Sequence, residues 1–133
     1  MSDPKSQLAV LDRDHLMKMT SGDVGLALEV LSIFRQQADS WGRLLSAREA
    51  PSAWADAAHS IKGAALGIGA LRLARACDVA EQLGRHGNPS IAEAAVAVDD
   101  VRSAMAVALE AAARADHELA GSEVFSASNA SNS

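Results

Sequence analysis

In the run His59-Ser-Ile-Lys62-Gly63-Ala-Ala-Leu66-Gly67-Ile-Gly69, an imidazole, an ammonium and a missing side chain fall at the spacings of neighbours on one helix face. Lys62 follows His59 at i+3 and Gly63 at i+4, the separations that stack side chains on adjacent turns. An imidazole nitrogen is a nucleophile able to carry a phosphoryl group. An ammonium beside it balances phosphate charge. A glycine one turn away leaves room for that group and for another protein's backbone. Gly63 asks for such a reason, because Gly costs about 1 kcal/mol relative to Ala inside a helix. Lys62 alone does not, since any solvated helix surface carries lysine.

The chemistry requires that this face point outward. At about 100° per residue, with His59 at zero, Trp54, Ala58, Ile61, Ala65 and Ile68 all fall between about 180° and 260°. That apolar stripe is the buried side. His59, Lys62 and Gly63 lie opposite it, with Ser52 and Asp56, so the imidazole is expected in water. Ala55 and Leu66 flank the same face. They read either as small apolar surface for a docking partner or as the edge of the core.

The elements that hold this helix in place read as all-α, an antiparallel up-and-down four-helix bundle with a short additional N-terminal helix. Asp12 caps a first helix that ends near Thr20, and Ser21-Gly22-Asp23 breaks it and starts the next. The second helix runs from about Val24 to Ala47, with Leu28, Leu31, Phe34, Ala38, Trp41 and Leu45 inside. A second stripe, Leu26, Val30 and Ile33, is expected to support the short first helix. Pro51 suits a helix start, and the His59 helix is expected to stop at Leu66, before Gly67 and Gly69. A fourth helix covers about 70–85, with Cys77 on its inner side as a small core residue, and Gly87-Asn88-Pro89 turns the chain. Ser90-Ile-Ala-Glu93 fits a capping box. The last helix follows to about Leu119, with Ile91, Ala95, Val98, Val101, Met105, Leu109 and Ala112 as its inner face.

Residues 1–9 read as a flexible N-terminus, 10–119 as the bundle, and 120–133, ending in Ser-Asn-Ala-Ser-Asn-Ser, as a disordered tail. At 133 residues the chain has one domain's length, with no room for a nucleotide-binding domain beside the bundle. The apolar fraction is 49% but the aromatic fraction only 3%, so alanine carries the core and helices can approach closely. A net charge of −5 without a basic cluster argues against a nucleic-acid partner. No apolar run is long enough to span a membrane, and the single cysteine makes no intrachain disulfide. A cytoplasmic protein, a monomer by default, is the expectation.

The run His59-x-x-Lys62-Gly63-Ala64-Ala65-Leu66-Gly67 resembles the signature of the histidine-containing phosphotransfer (HPt) domains of multistep two-component phosphorelays. Gly22-Asp23, Glu29-Val-Leu and Phe34 upstream resemble the same family, as do Leu71, Ala74, Glu81, Leu83 and Arg85 downstream. The resemblance implies that His59 is the phosphorylated residue, Lys62 steadies the phosphate and Gly63 gives clearance. It implies attack through Nε2 on a receiver aspartyl phosphate and onward transfer to another receiver aspartate. The expected partners are response-regulator receiver domains and a hybrid histidine kinase. No intrinsic cofactor and no metal site are expected, and Mg²⁺ belongs to the receiver. Glu81 sits where the family can hydrogen-bond the imidazole, so an imidazole-orienting role is implied. A surface Glu paired with Arg85 at i+4 is an equal reading. Ala55, Asp56, Leu66 and Arg85 are the candidate docking residues.

Two rivals stand beside this reading. A helical adaptor that binds a partner through the His59 face without accepting phosphate would show binding but no turnover. A metal-binding bundle is weaker, because His15, His59, His86 and His117 fall on separate elements and no Glu-x-x-His pair recurs. No P-loop glycine motif supports a kinase that uses ATP itself.

Overall fold

The structure, a computed structural model, describes residues 8–131, with side chains through 122. Among them the chain forms five helices and no strand: α1 Arg13–Met19, α2 Val24–Leu44, α3 Pro51–Ile68, α4 Leu71–His86 and α5 Ile91–Ser131. The helices start where the sequence supplies acceptors for free N–H groups. Asp12 accepts from His15 N at 3.1 Å and Asp23 from Leu26 N at 3.1 Å. Ser90 and Glu93 close the expected capping box, each side chain bonding the other's backbone N–H at 3.1 Å.

Cross-helix bonds fix the antiparallel order. Arg35 pairs with Asp116 while Arg102 donates to the carbonyls of Gly42 and Leu45, so α5 descends as α2 rises. His59 opposite Glu81 and Lys62 opposite Asp78 give the same sense to α3 and α4. Inside lie Leu16, Leu31, Phe34, Trp54, Ile61, Ile68, Leu73 and Val101, with alanines filling the close approaches between helices.

Several boundaries depart from the sequence reading. α3 passes through Gly67 and ends at Gly69, whose φ of 80° is the left-handed conformation glycine adopts without penalty. A Cβ at Gly69 would also sit 2.6 Å from the Asp12 carbonyl oxygen, which accepts no such intrusion. Asp12 N in turn donates to Gly69 O at 2.8 Å, tying the chain before α1 to the end of α3. Leu8 and Ala9, expected to be flexible, hold Arg72 through their carbonyls, while 1–7 lie outside the described residues. α2 stops at Leu44 rather than Ala47. α5 continues to Ser131 through most of the segment read as a disordered tail, since an established helix gains one backbone bond per added residue. Residues 132–133 lie outside the description. The inner face of α5 begins at Ala94, whereas Ile91 and Ala95 are exposed.

The second stripe of α2 is only partly covered, with Val30 packed against the core. Leu26 is 42% and Ile33 47% exposed, and α1 lies more against α3 than against α2. His15 is half-buried, and its Nε2 lies 2.7 Å from Leu66 O. Between α2 and α3 a groove is left open beside Ile33.

Candidate functional site

α3 presents His59 outward as its periodicity requires. The imidazole is 63% exposed, while Trp54, Ala58, Ile61, Ala65 and Ile68 are all buried. From α4, Glu81 reaches across, its side chain only 7% exposed. Its Oε2 lies 2.7 Å from His59 Nδ1, and its Oε1 accepts from Lys62 Nζ at 2.6 Å. Arg85 Nε donates to Oε2 as well, at 3.2 Å. Glu81 bonds the imidazole and pairs with Arg85, but it is buried and is not the surface residue of the alternative reading.

Three donors around one carboxylate set its charge. The Lys62 ammonium foremost, then Arg85 and His59, hold the Glu81 carboxyl down at about 2 against the opposing effect of burial. Lys62 is raised by the same bond. Glu81 is thus an ionised acceptor at any working pH, and an acceptor facing Nδ1 requires an N–H there. In the neutral ring the lone pair then resides on Nε2, which makes no hydrogen bond to any described residue.

Lys62 is held by carboxylates rather than standing free. Asp78 Oδ1, 3.4 Å away, is its second partner, and sequence reasoning missed it. The signal was present in the register: once Glu81 faces His59 in an antiparallel pair, the residue three before Glu81 faces the residue three after His59. A Cβ at Gly63 would meet nothing within 4 Å, so nothing in the bundle itself demands glycine there. The open space is available to an incoming group.

The docking candidates separate. Leu66 is exposed, and Asp56 and Arg85 are at the surface, bonded to each other at 2.9 Å. Ala55 is not surface at all: it is fully buried, correcting its assignment as a docking residue. The cause is Gly84, which the sequence reading passed over. A Cβ there would lie 2.8 Å from Ala55 Cβ, 2.8 Å from Pro51 O and 3.0 Å from Trp54 Cζ3, so the missing side chain lets α4 settle directly on Ala55. Below this contact Cys77 is buried, its thiol pushed up to about 12 by desolvation and therefore protonated.

Among the described residues no group of three or more His, Cys, Asp or Glu is placed to hold a metal ion, and no helix is long and apolar enough to cross a membrane. Comparison with known proteins adds the remaining weight. No match appears among curated proteins. The crystal structure of the histidine phosphotransferase ShpA from Caulobacter crescentus superposes with a TM-score of 0.66 at 31% identity, covering 87% of this chain and 99% of that one. The family model of the Hpt domain matches residues 27–115, which include every member of the His59 cluster. With an outward imidazole on an all-helical scaffold and a match over most of its length, the chain belongs to the Hpt domain family, the histidine phosphotransfer carriers of phosphorelays.

Proposed function

We propose that His59 accepts a phosphoryl group from a receiver-domain aspartyl phosphate and passes it to the aspartate of another receiver. The Nε2 lone pair attacks phosphorus in line, the bond from phosphorus to the aspartyl oxygen breaks, and the carboxylate leaves with its electron pair. No proton has to move. The ring keeps its Nδ1 proton and becomes a phosphoimidazolium, whose new positive charge lies against the Glu81 carboxylate. Reversal breaks the Nε2–P bond and returns the pair to Nε2. Mg²⁺, which supports the acyl phosphate, belongs to the receiver.

Lys62 steadies the arriving phosphate from beside the ring, and Gly63 clears its path. The receiver docks over Leu66 and the groove between α2 and α3, where Ile33 is exposed. The donor in this reading is a hybrid histidine kinase, and the carrier works as a cytoplasmic monomer. The observation that carries the proposal is the exposed imidazole with Nδ1 committed to an ionised carboxylate and Nε2 free.

A phosphorylated receiver incubated with the wild-type chain is expected to give acid-labile label on the carrier. His59→Gln is expected to remove that label while leaving helicity unchanged, since the replaced side chain faces solvent. Persistent acid-labile labelling of the variant would refute the assignment.

A further inference from the structure

Asp56 and Arg85 stand on the rim of the site, and an exposed ion pair of this kind contributes about 0–1 kcal/mol to stability. Asp56 is 70% exposed, so stabilisation does not account for the arrangement. Its geometry is more particular. Asp56 precedes His59 by one turn of α3, and Arg85 follows Glu81 by one turn of α4. Arg85 uses Nη2 for Asp56 Oδ1 at 2.9 Å and Nε for Glu81 Oε2 at 3.2 Å, and that same oxygen lies 2.7 Å from His59 Nδ1. Four side chains therefore form a run of three bonds that crosses between the helices twice and is closed only through the backbone of α3.

The other end of the carboxylate is pulled the opposite way. Lys62 holds Oε1 at 2.6 Å and is itself drawn toward Asp78. A carboxyl group rotates readily about its last side-chain bond. With only Lys62 attached, the single bond to His59 would have to hold Oε2 on the imidazole against that rotation. A guanidinium fixed at its far end supplies the missing constraint, and its planar fork suits two acceptors at once.

We infer that Arg85 is a positioning residue for His59, acting through Glu81, with Asp56 as the tether that holds Arg85 in place. This inference rests on the phosphotransfer reading for its purpose but not for its measurement. Arg85 touches neither Nε2 nor the transferred group. Its work is to keep the carboxylate turned so that Nδ1 bears the proton and Nε2 the lone pair. Gly84 brings the two helices close enough for both crossings, because α4 rests on Ala55 immediately before Arg85.

The test uses the full chain labelled with ¹⁵N in its histidine rings, in alkaline buffer where a free imidazole is neutral. The wild type is expected to show His59 as the Nδ1–H tautomer. Arg85→Ala is expected to give a mixture of tautomers, with Asp56→Asn shifted less in the same direction. Transfer from a phosphorylated receiver should fall by about tenfold in Arg85→Ala, short of the 10²-fold that a 1 Å misplacement can cost. Thermal melts monitored by circular dichroism confirm that both variants are folded. A slower transfer with the tautomer unchanged would overturn the inference and make Arg85 a docking contact. An unchanged tautomer together with unchanged transfer would overturn it also. Should the wild type take no label at all, the phosphotransfer reading fails, while the tautomer measurement still decides the role of Arg85.

Discussion

The two flanks of α3 on either side of His59 are unlike. Toward α4 the seam is bridged from His59 to its Gly84 end: Gly84 lies on Ala55, and a row of charges, Asp78, Lys62, Glu81, Arg85 and Asp56, is paired throughout, with an open pocket of about 410 Å³ beyond Lys62 and Asp78 toward Leu66 and Leu71. Toward α2 the seam is open, a groove of about 230 Å³ lined by Val30, Ile33, Phe34, Trp41, Ala64 and Gly67. Orientation of a ring demands fixed partners at hydrogen-bond distance, whereas admission of a second protein demands unoccupied apolar surface. In the proposed function these two demands fall to different neighbours of α3. Mutations on the bridged flank should change the rate of transfer within a bound complex, and mutations on the open flank should change how tightly that complex forms.

The largest effect short of removing His59 is expected from Glu81→Gln. All three partners of the carboxylate are donors: His59 and Arg85 on Oε2, Lys62 on Oε1. An amide offers one oxygen, so its NH₂ must face a donor in either orientation. If the NH₂ faces His59, the ring is driven to the tautomer with its proton on Nε2, and the nucleophile is lost. If it faces Lys62, that ammonium is released. Transfer should fall on the order of 10²-fold at saturating receiver, read from the rate of label appearance. The same change has a pH signature. Glu81 is lowered from 4.5 to about 2, so its contribution is complete above 4.5 and lost as pH falls through 2. The stability advantage of wild type over Glu81→Gln, at most about 3 kcal/mol at neutral pH, should shrink over that acid window in denaturant titrations. A gap that stays constant down to pH 2 would remove Glu81 from its ionised role.

On the open flank, Ile33→Ser probes the groove. Ile33 is 47% exposed and makes little of the core, so the free protein should lose under about 0.5 kcal/mol. Covering that side chain with a receiver would bury apolar area worth roughly 1–2 kcal/mol, so the receiver Kd should rise by about tenfold. The rate at saturating receiver should be unchanged. If instead the saturating rate drops and Kd holds, the division between the flanks is wrong.

Much of this was legible in the chain. The apolar stripe of α3 placed His59 in water, and Ser90 with Glu93 announced the start of α5. The capping residues Asp12 and Asp23 were found for the same reason, since each acts within a few residues of itself. What escaped was set between helices. Periodicity assigned Ala55 to the outer face correctly in angle, but how far a neighbour covers that face depends on the interhelix distance, which Gly84 sets from another element. Leu26 and Ile33 were given to α1 because a stripe calls for a partner, and a groove left empty has no pattern of its own. The pairing of Lys62 with Asp78 escaped because the two become neighbours only in the folded register. The end of α3 was placed at Gly67 because both glycines break helices equally in sequence, and only Gly69 meets the backbone that demands a positive φ.

The helical glycines give the comparison its finest test, because the same substitution should change stability in opposite directions on the two flanks. Alanine is favoured over glycine in a helix by about 1 kcal/mol, partly through the unfolded chain. At Gly63 nothing lies within 4 Å of the added methyl, so Gly63→Ala should gain about 0.5–1 kcal/mol in the free protein. At Gly84 the methyl meets Ala55 Cβ and Pro51 O at 2.8 Å, neither of which is the end of a flexible side chain. Relief requires α4 to move away from α3, at a cost of roughly 1–3 kcal/mol that exceeds the helical gain. Gly84→Ala should therefore be less stable in urea, with Cys77 alkylated faster by iodoacetamide as the seam above it loosens, and the carboxylate of Glu81 should be carried off the imidazole. Gly63→Ala should be the more stable protein and, in the proposed function, the poorer carrier. Equal stability changes at the two positions would mean that the seams do not differ in the way the geometry requires.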